Sequence, residues 1–327
     1  MFVTSDFPSE NPRIQTRNYS YTSTLALIRG MNKLRIILIF TIVFLSCKSE
    51  TEKTKIQFLT EIIPNDIPIE FKQDLIPQNK LIHKGIFSPD LQEYYYTISD
   101  KKFKKFEVFV IEKNKDNWST PKKAFFNSEY NEHGMSFSPI GNALYFSSTR
   151  PVNIDGIVQT WHIWKSDKVN GKWTEPVFVD IPNLRDKLVS HPTITNSGTL
   201  YFHSSNLDYS EMDIYQSKKV NGQFNEAEKV SISMNSKAGK CTPYISPKED
   251  YLIFASIGKQ LDLMISFSDG VGGWTNTKKL NDKINHLGQG NPYVTADNKF
   301  LFFTTGEHLE KKWKVNWVNI ESEIKNN

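Results

Sequence analysis

The sequence predicts an all-β protein, a five-bladed β-propeller of four-stranded antiparallel blades. Three observations carry this. First, one phrase recurs five times: Phe87-Ser88-Pro89 before Tyr94-Tyr95-Tyr96-Thr97, Phe137-Ser138-Pro139 before Leu144-Tyr145-Phe146-Ser147, Ile194-Thr195 before Leu200-Tyr201-Phe202-His203, Ile245-Ser246-Pro247 before Leu252-Ile253-Phe254-Ala255, and Val294-Thr295 before Leu301-Phe302-Phe303-Thr304. With Tyr96, Phe146, Phe202, Phe254 and Phe303 taken as equivalent, the spacings are 50, 56, 52 and 49 residues. A period near fifty built from short strands belongs to propellers or arrays. Second, aromatic residues make up 13% of the chain and gather in these strands, where flat rings fill a pleated, packed surface. Third, each of the first four phrases is followed by further strand segments and turn signals, enough for a blade of four strands.

The elements follow in order. In the first repeat Phe106–Ile111 is the third strand, and Lys122–Phe126 the fourth after the turn Asn114 to Asn117. In the second, Met135–Ser138 and Ala143–Ser147 are joined by Pro139-Ile140-Gly141-Asn142; Trp161–Ser166, the hairpin Asn170-Gly171 and Pro176–Ile181 complete the blade. In the third, Met212–Ser217, Asn221-Gly222 and Glu228–Ser231 repeat the plan. In the fourth, Leu261–Met264 and Lys278–Leu280 flank Gly270 to Gly273 and Trp274. The fifth repeat stops after Lys314–Ile320 and lacks a fourth strand. Residues 69–76, Ile-Glu-Phe-Lys-Gln-Asp-Leu-Ile, resemble the fourth strand Val177–Ile181 and are expected to complete it, closing the ring and removing its open edges. Six blades are the alternative, but residues 57–80 are too few for four more strands.

The domain plan is as follows. Met31-Asn32-Lys33-Leu34-Arg35, the apolar run Ile36–Leu45 and Ser46-Cys47 read as a secretory signal, too short for a transmembrane helix of roughly 20 residues. Residues 31–46 are therefore expected to be a signal peptide, with Met31 the true start and residues 1–30 a mis-annotated or disordered extension. Residues 47–56 form a charged, aperiodic tether, 57–322 the propeller and 323–327 a tail. The chain has two cysteines, and a lipidated Cys47 would leave Cys241 without a disulfide partner. The net charge of +4 comes with no basic stripe interleaved with aromatics, which excludes nucleic acid as an expected partner.

The context of Cys47 resembles a bacterial lipobox, which implies cleavage before Cys47 and its lipidation; Leu45 stands where a smaller residue is commoner. The phrases Phe-Ser-Pro…Leu-Tyr-Phe-Ser-Ser (residues 137–148) and Asp-Ile-Tyr-x-Ser…Asn-Gly-x-Phe (residues 213–224) resemble the WD40-like repeat of TolB-type propellers, in the exported form found in Bacteroidetes-type bacteria. The resemblance covers about residues 83–320. It implies scaffolding or ligand binding in the cell envelope, as an outer-membrane lipoprotein facing the periplasm or the surface, and supplies no catalytic set. Pro-Asp-Gly turns survive only as Pro89-Asp90-Leu91, Pro139-Ile140-Gly141 and Pro247-Lys248-Glu249.

Aligning the repeats on Ser88, Ser138, Thr195, Ser246 and Thr295 separates constant from varied positions. The residue before each is apolar in all five and is expected to pack between blades. Five before stand His83, His133, Ser190, Cys241 and Gly290; four before stand Lys84, Gly134, His191, Thr242 and Asn291. These rows fall at the mouth of the central channel, where a propeller individualises its ligand site. His83, His133, His191 and Asn291 are therefore candidate ligand-binding residues. Arg150 and Asp155 on one loop and Asp208 on the next join them, since loops on that face carry function. Three imidazoles can bind Zn²⁺, but single histidines at strand starts more often bond backbone or water, so no metal and no cofactor is assigned. The expected role is non-catalytic binding of a protein or a glycan. The alternative is a glycoside hydrolase or lyase with its site in the channel. That chemistry needs two carboxyl groups about 5–9.5 Å apart, and the nearest acidic residue on the aligned inner strands is Glu132, beside His133.

Overall fold

The computed structural model describes Leu59 and residues 61–325, apart from residues 78, 116, 235–236 and 308–311. The expected extension, signal peptide, lipidated Cys47 and tether lie outside the described residues. The described residues form five antiparallel blades. Strand β1 (Ile69–Glu70) comes first. Blade one holds β2 (Lys80–Phe87), β3 (Glu93–Asp100), β4 (Phe106–Asn114), β5 (Asn117–Trp118) and β6 (Lys122–Lys123). Blade two holds β7 (Glu132–Phe137), β8 (Ala143–Ser148), β9 (His162–Val169), β10 (Lys172–Trp173) and β11 (Val177–Phe178). Blade three holds β12 (Leu188–Ile194), β13 (Leu200–Ser205), β14 (Asp213–Ser217), the hairpin β15 (Lys219–Val220) and β16 (Gln223–Phe224), and β17 (Glu228–Lys229). Blade four holds β18 (Gly239–Ile245), β19 (Tyr251–Ile257), β20 (Leu261–Phe267) and β21 (Lys278–Lys279). Blade five holds β22 (Gly288–Val294), β23 (Phe300–Glu307) and β24 (Lys312–Asn319), and helix α1 (Glu321–Lys325) follows.

The inner strands β2, β7, β12, β18 and β22 touch in sequence, and β22 touches β2. The ring is closed, and the expected five-bladed propeller is what forms. Its closure is shorter than expected. Only Ile69 and Glu70 pair with β24, opposite Trp317 and Asn316, and the Phe71 N–H adds a bond to the Val315 carbonyl at 2.8 Å. Residues Gln73–Leu75 turn into a 3-10 helix rather than continuing the strand. Phe71 carries the closure instead. Its ring, 2% exposed, meets Trp317 and Phe302 of blade five at 5.3 and 5.0 Å, and Phe87 and Tyr94 of blade one at 6.0 and 5.1 Å.

The repeated aromatic run packs between blades, as the pattern required. Tyr96, Phe146, Phe202, Phe254 and Phe303 are all buried. The outer-hairpin tryptophans pack back onto the preceding blade: Trp173 stacks on Phe125 at 5.1 Å, and Trp274 meets Tyr201 edge-on at 6.5 Å.

Candidate functional site

The channel wall is shaped by a bulge in every inner strand. Pairing with the second strand slips between Ile82 and Gly85, His133 and Ser136, Ser190 and Thr193, Cys241 and Tyr244, and Gly290 and Tyr293. In blades two to five the slip centres on a left-handed residue: Gly134 (φ 60°), His191 (55°), Thr242 (45°) and Asn291 (55°). In blades three to five a proline follows, Pro192, Pro243 and Pro292. Proline has no N–H to pair, and bulges are where a sheet accepts it. In blade two the left-handed residue is a glycine, since a Cβ on Gly134 would lie 3.1 Å from Ser147 Oγ and 3.2 Å from the His191 ring, and in blade one the Tyr94 hydroxyl leaves no room for a Cβ on Gly85.

The bulges are held by the second strand of the preceding blade. The Ser147 Oγ accepts the His191 N–H at 2.9 Å, and the His203 Nδ1 accepts the Thr242 N–H at 3.1 Å. The Thr304 Oγ1 donates to the His83 carbonyl, and the Thr97 Oγ1 donates to the Met135 Sδ at 3.5 Å. Between blades four and five, where Ala255 has no side-chain acceptor, the Thr242 Oγ1 accepts the Asn291 N–H at 3.2 Å. Thr97, Ser147, His203, Ala255 and Thr304 form one row of the repeat, just after its conserved aromatic.

Two of the three predicted imidazoles converge. His133 and His191 meet edge-on at 4.5 Å, and His191 stacks on His203 at 4.8 Å. The Ser190 Oγ lies 3.2 Å from His133 Nε2 and 3.1 Å from His191 Nδ1 while donating to Ser147 Oγ at 3.0 Å. Its lone pairs therefore face both rings. His83 stands apart: its Nε2 is 2.7 Å from Ser99 Oγ, and Phe106 separates it from His133, with ring distances of 5.2 and 5.4 Å. Burial pushes every one of these imidazoles down, His83 to about 4, His203 to about 3, and His133 and His191 well below the ordinary value. Among the described residues, no group of three or more His, Cys, Asp or Glu is placed to hold a metal ion. Cys241 is a buried thiol, pushed up to about 12 by desolvation.

Aromatic rings extend this cluster. Trp161 lies 4.1 Å from His133 and 5.8 Å from Phe106. Phe103 lies 5.9 Å from His83, and Trp313 lies 5.7 Å from His83 and 6.1 Å from Phe103. A continuous run of rings thus crosses blades five, one, two and three. Phe103 is exposed; Phe106, Trp161 and Trp313 are half-buried. Sequence reasoning missed His203 and these four aromatics. His203 was legible as the odd member of its row. The aromatics were not, because they sit in second-to-third-strand connections and at third-strand starts, where the repeats do not align.

The loop candidates are placed differently. Arg150 turns inward, 14% exposed, donating to the Phe126 carbonyl and to Glu132 Oε1 at 3.3 Å, with its guanidinium 5.4 Å from both the Phe146 and Trp164 rings. Glu132, fully buried, also accepts from Ser128 Oγ at 2.5 Å and Ser148 Oγ at 3.1 Å. Asp208 is exposed and caps its own loop through the Ser210 N–H and hydroxyl, at 3.0 and 2.6 Å. Asp155 is exposed. Asn291 reaches the imidazole cluster from blade five: it weakly opposes the downward shift of His191, and its Oδ1 is buried without a hydrogen-bond partner.

No family model matches the sequence, and no curated protein matches it. Solved structures do. TolB from Acinetobacter baumannii is 14% identical, over 74% of this chain and 55% of that one, with a TM-score of 0.48. This chain thus spans about half the length of that protein. A glycoside hydrolase is 9% identical over 78% of this chain and 91% of its own, with a TM-score of 0.51. A thermostable family-43 glycoside hydrolase is 12% identical over 76% of this chain and 92% of its own, with a TM-score of 0.49. At such identities a likeness speaks for architecture and not for chemistry. What it shares with the closed ring described above is the fold: this chain is a five-bladed β-propeller.

Proposed function

We propose that this chain is a non-catalytic binding module, exported and held at a membrane of the cell envelope by lipid on Cys47, with its ligand taken at the channel mouth. The observation that carries the reading is the run of Trp313, Phe103, His83, Phe106, His133 and Trp161, ring against ring across three blades. Partly exposed aromatics beside a few polar imidazole edges are the composition of small-ligand sites. Their flat faces suit the apolar faces of sugar rings, so a glycan is the preferred ligand over a protein. Glu132, the carboxylate a glycosidase reading would use, is occupied by Arg150, Ser128 and Ser148.

A glycan array probed with the purified domain tests this, alongside a pulldown from envelope extract. Binding is expected for the wild type, weakened by Trp161→Ala or Trp313→Ala by about tenfold or more, the ratio that 1.4 kcal/mol represents. Hydrolysis of a glycoside by the purified protein, abolished by Glu132→Gln, would overturn the reading in favour of an enzyme.

A further inference from the structure

The fold buries two lysines of its inner strands and treats them differently. Lys240, 9% exposed, is held by both oxygens of Asp213 at 2.9 and 3.0 Å. Lys84, 4% exposed, has no hydrogen-bond or ion-pair partner among the described residues. It holds the position in its inner strand that Gly134, His191, Thr242 and Asn291 hold in the other blades. Its charge reaches His133 and His191, both neutral imidazoles, and no carboxylate is among the causes that shift Lys84 itself. Desolvation alone drives Lys84 down to about 8. A buried cation without a counter-charge costs free energy, a cost that a bound anion would offset.

Lys84 lines a partly open cavity of about 60 Å³ to which the inner strands of all five blades, and the turns that follow them, contribute. Most of the lining is apolar, including Ile86, Met135 and Ile245, and Ser136, Ser138, Thr193, Tyr244 and Tyr293 are its hydroxyl-bearing residues. The space matches a single small charged group and not a sugar ring. We propose that the central channel binds a carboxylate, with the Lys84 ammonium as its counter-ion and the Ser136 and Thr193 hydroxyls as further donors. The inference rests on the binding reading only in its choice of a sugar-borne carboxylate as one source; a free small carboxylate is the other.

The test is titration of the full domain with acetate, with galacturonate and with neutral galactose, at constant ionic strength set with chloride, read by calorimetry and by thermal unfolding. Acetate is expected to bind and to raise the melting temperature of the wild type. Lys84→Met and, as a second variant, Lys84→Gln should each lose acetate binding by at least about tenfold. Lys84→Met should also melt higher than the ligand-free wild type, the reverse of an ordinary core truncation. Galacturonate bound in a Lys84-dependent way, with galactose unbound, assigns the carboxylate to a sugar; acetate alone bound in that way assigns it to a free small acid. Acetate acting no differently from chloride, or acting on the two variants as it does on the wild type, overturns the proposal. Its failure leaves the glycan array unaffected, and a blank array beside Lys84-dependent acetate binding rejects the mouth reading while this one stands.

Discussion

His203 accepts the Thr242 N–H through Nδ1, and that acceptor vanishes once the ring takes a second proton. The same burial that sets this bond keeps His83, His133 and His191 neutral in the folded state. In the unfolded chain these rings titrate near 6.5, whereas in the fold His83 does so at about 4 and His203 at about 3. Between those values the unfolded state binds protons that the folded state refuses, so stability rises with pH there. Stability should be full above about pH 6.5 and fall on acidification, by at most about 1.4 kcal/mol per pH unit for each imidazole. Urea midpoints taken from about pH 7.5 down to about pH 4.5 check this, with His203→Gln expected to flatten part of the slope; a level wild-type profile contradicts it. His203 also illustrates what the repeat conceals. Its row reads Thr, Ser, His, Ala, Thr, and each member that can reach acts as a latch on the next blade. A variable row had a constant job, visible only once the neighbouring bulge was in place.

At the scale of elements, the closure of the ring concentrates on very few residues. Strand β1 offers two paired residues to β24, and Phe71 supplies the apolar contact between first and last blades. The Lys314–Glu70 ion pair adds to it at the edge. Removing the Phe71 ring leaves a cavity among Trp317, Phe302, Tyr94 and Phe87, and Phe71→Ala should cost about 3–5 kcal/mol. Chemical denaturation measures this; a loss below about 1 kcal/mol would mean that blade-to-blade pairing alone holds the ring. The closing strand was legible because residues 69–76 resemble another blade's fourth strand. Its early end was not. Lys72, at φ 47°, breaks the extended backbone, and Gln73–Leu75 coil into a 3-10 turn, so the resemblance outran the pairing.

For the molecule as a whole, the proposed anchor gives a direct experiment. Cys47→Ala should release the protein from the membrane fraction and abolish labelling by a palmitate analogue, because stable attachment needs acyl chains buried in the bilayer. A variant that stays membrane-bound and labelled would show that another residue carries the lipid.

Much of the architecture was readable in advance because a propeller repeats its packing problem. Each blade must fill the same gap with the same aromatic run, so a period near fifty and an alternation of strand and turn determined blade number and strand order. The candidate site was readable only in part, since its chemistry depends on which side chains meet across blades. Tertiary structure decided that His133 meets His191 and His203, that Phe106 separates His83 from them, and that Arg150 and Glu132 spend their charges on each other. It alone showed that Lys240 has a carboxylate partner and that Lys84 has none among the described residues. Pairing across a ring is set by distances between residues roughly fifty or a hundred positions apart, and no local pattern in one chain encodes them.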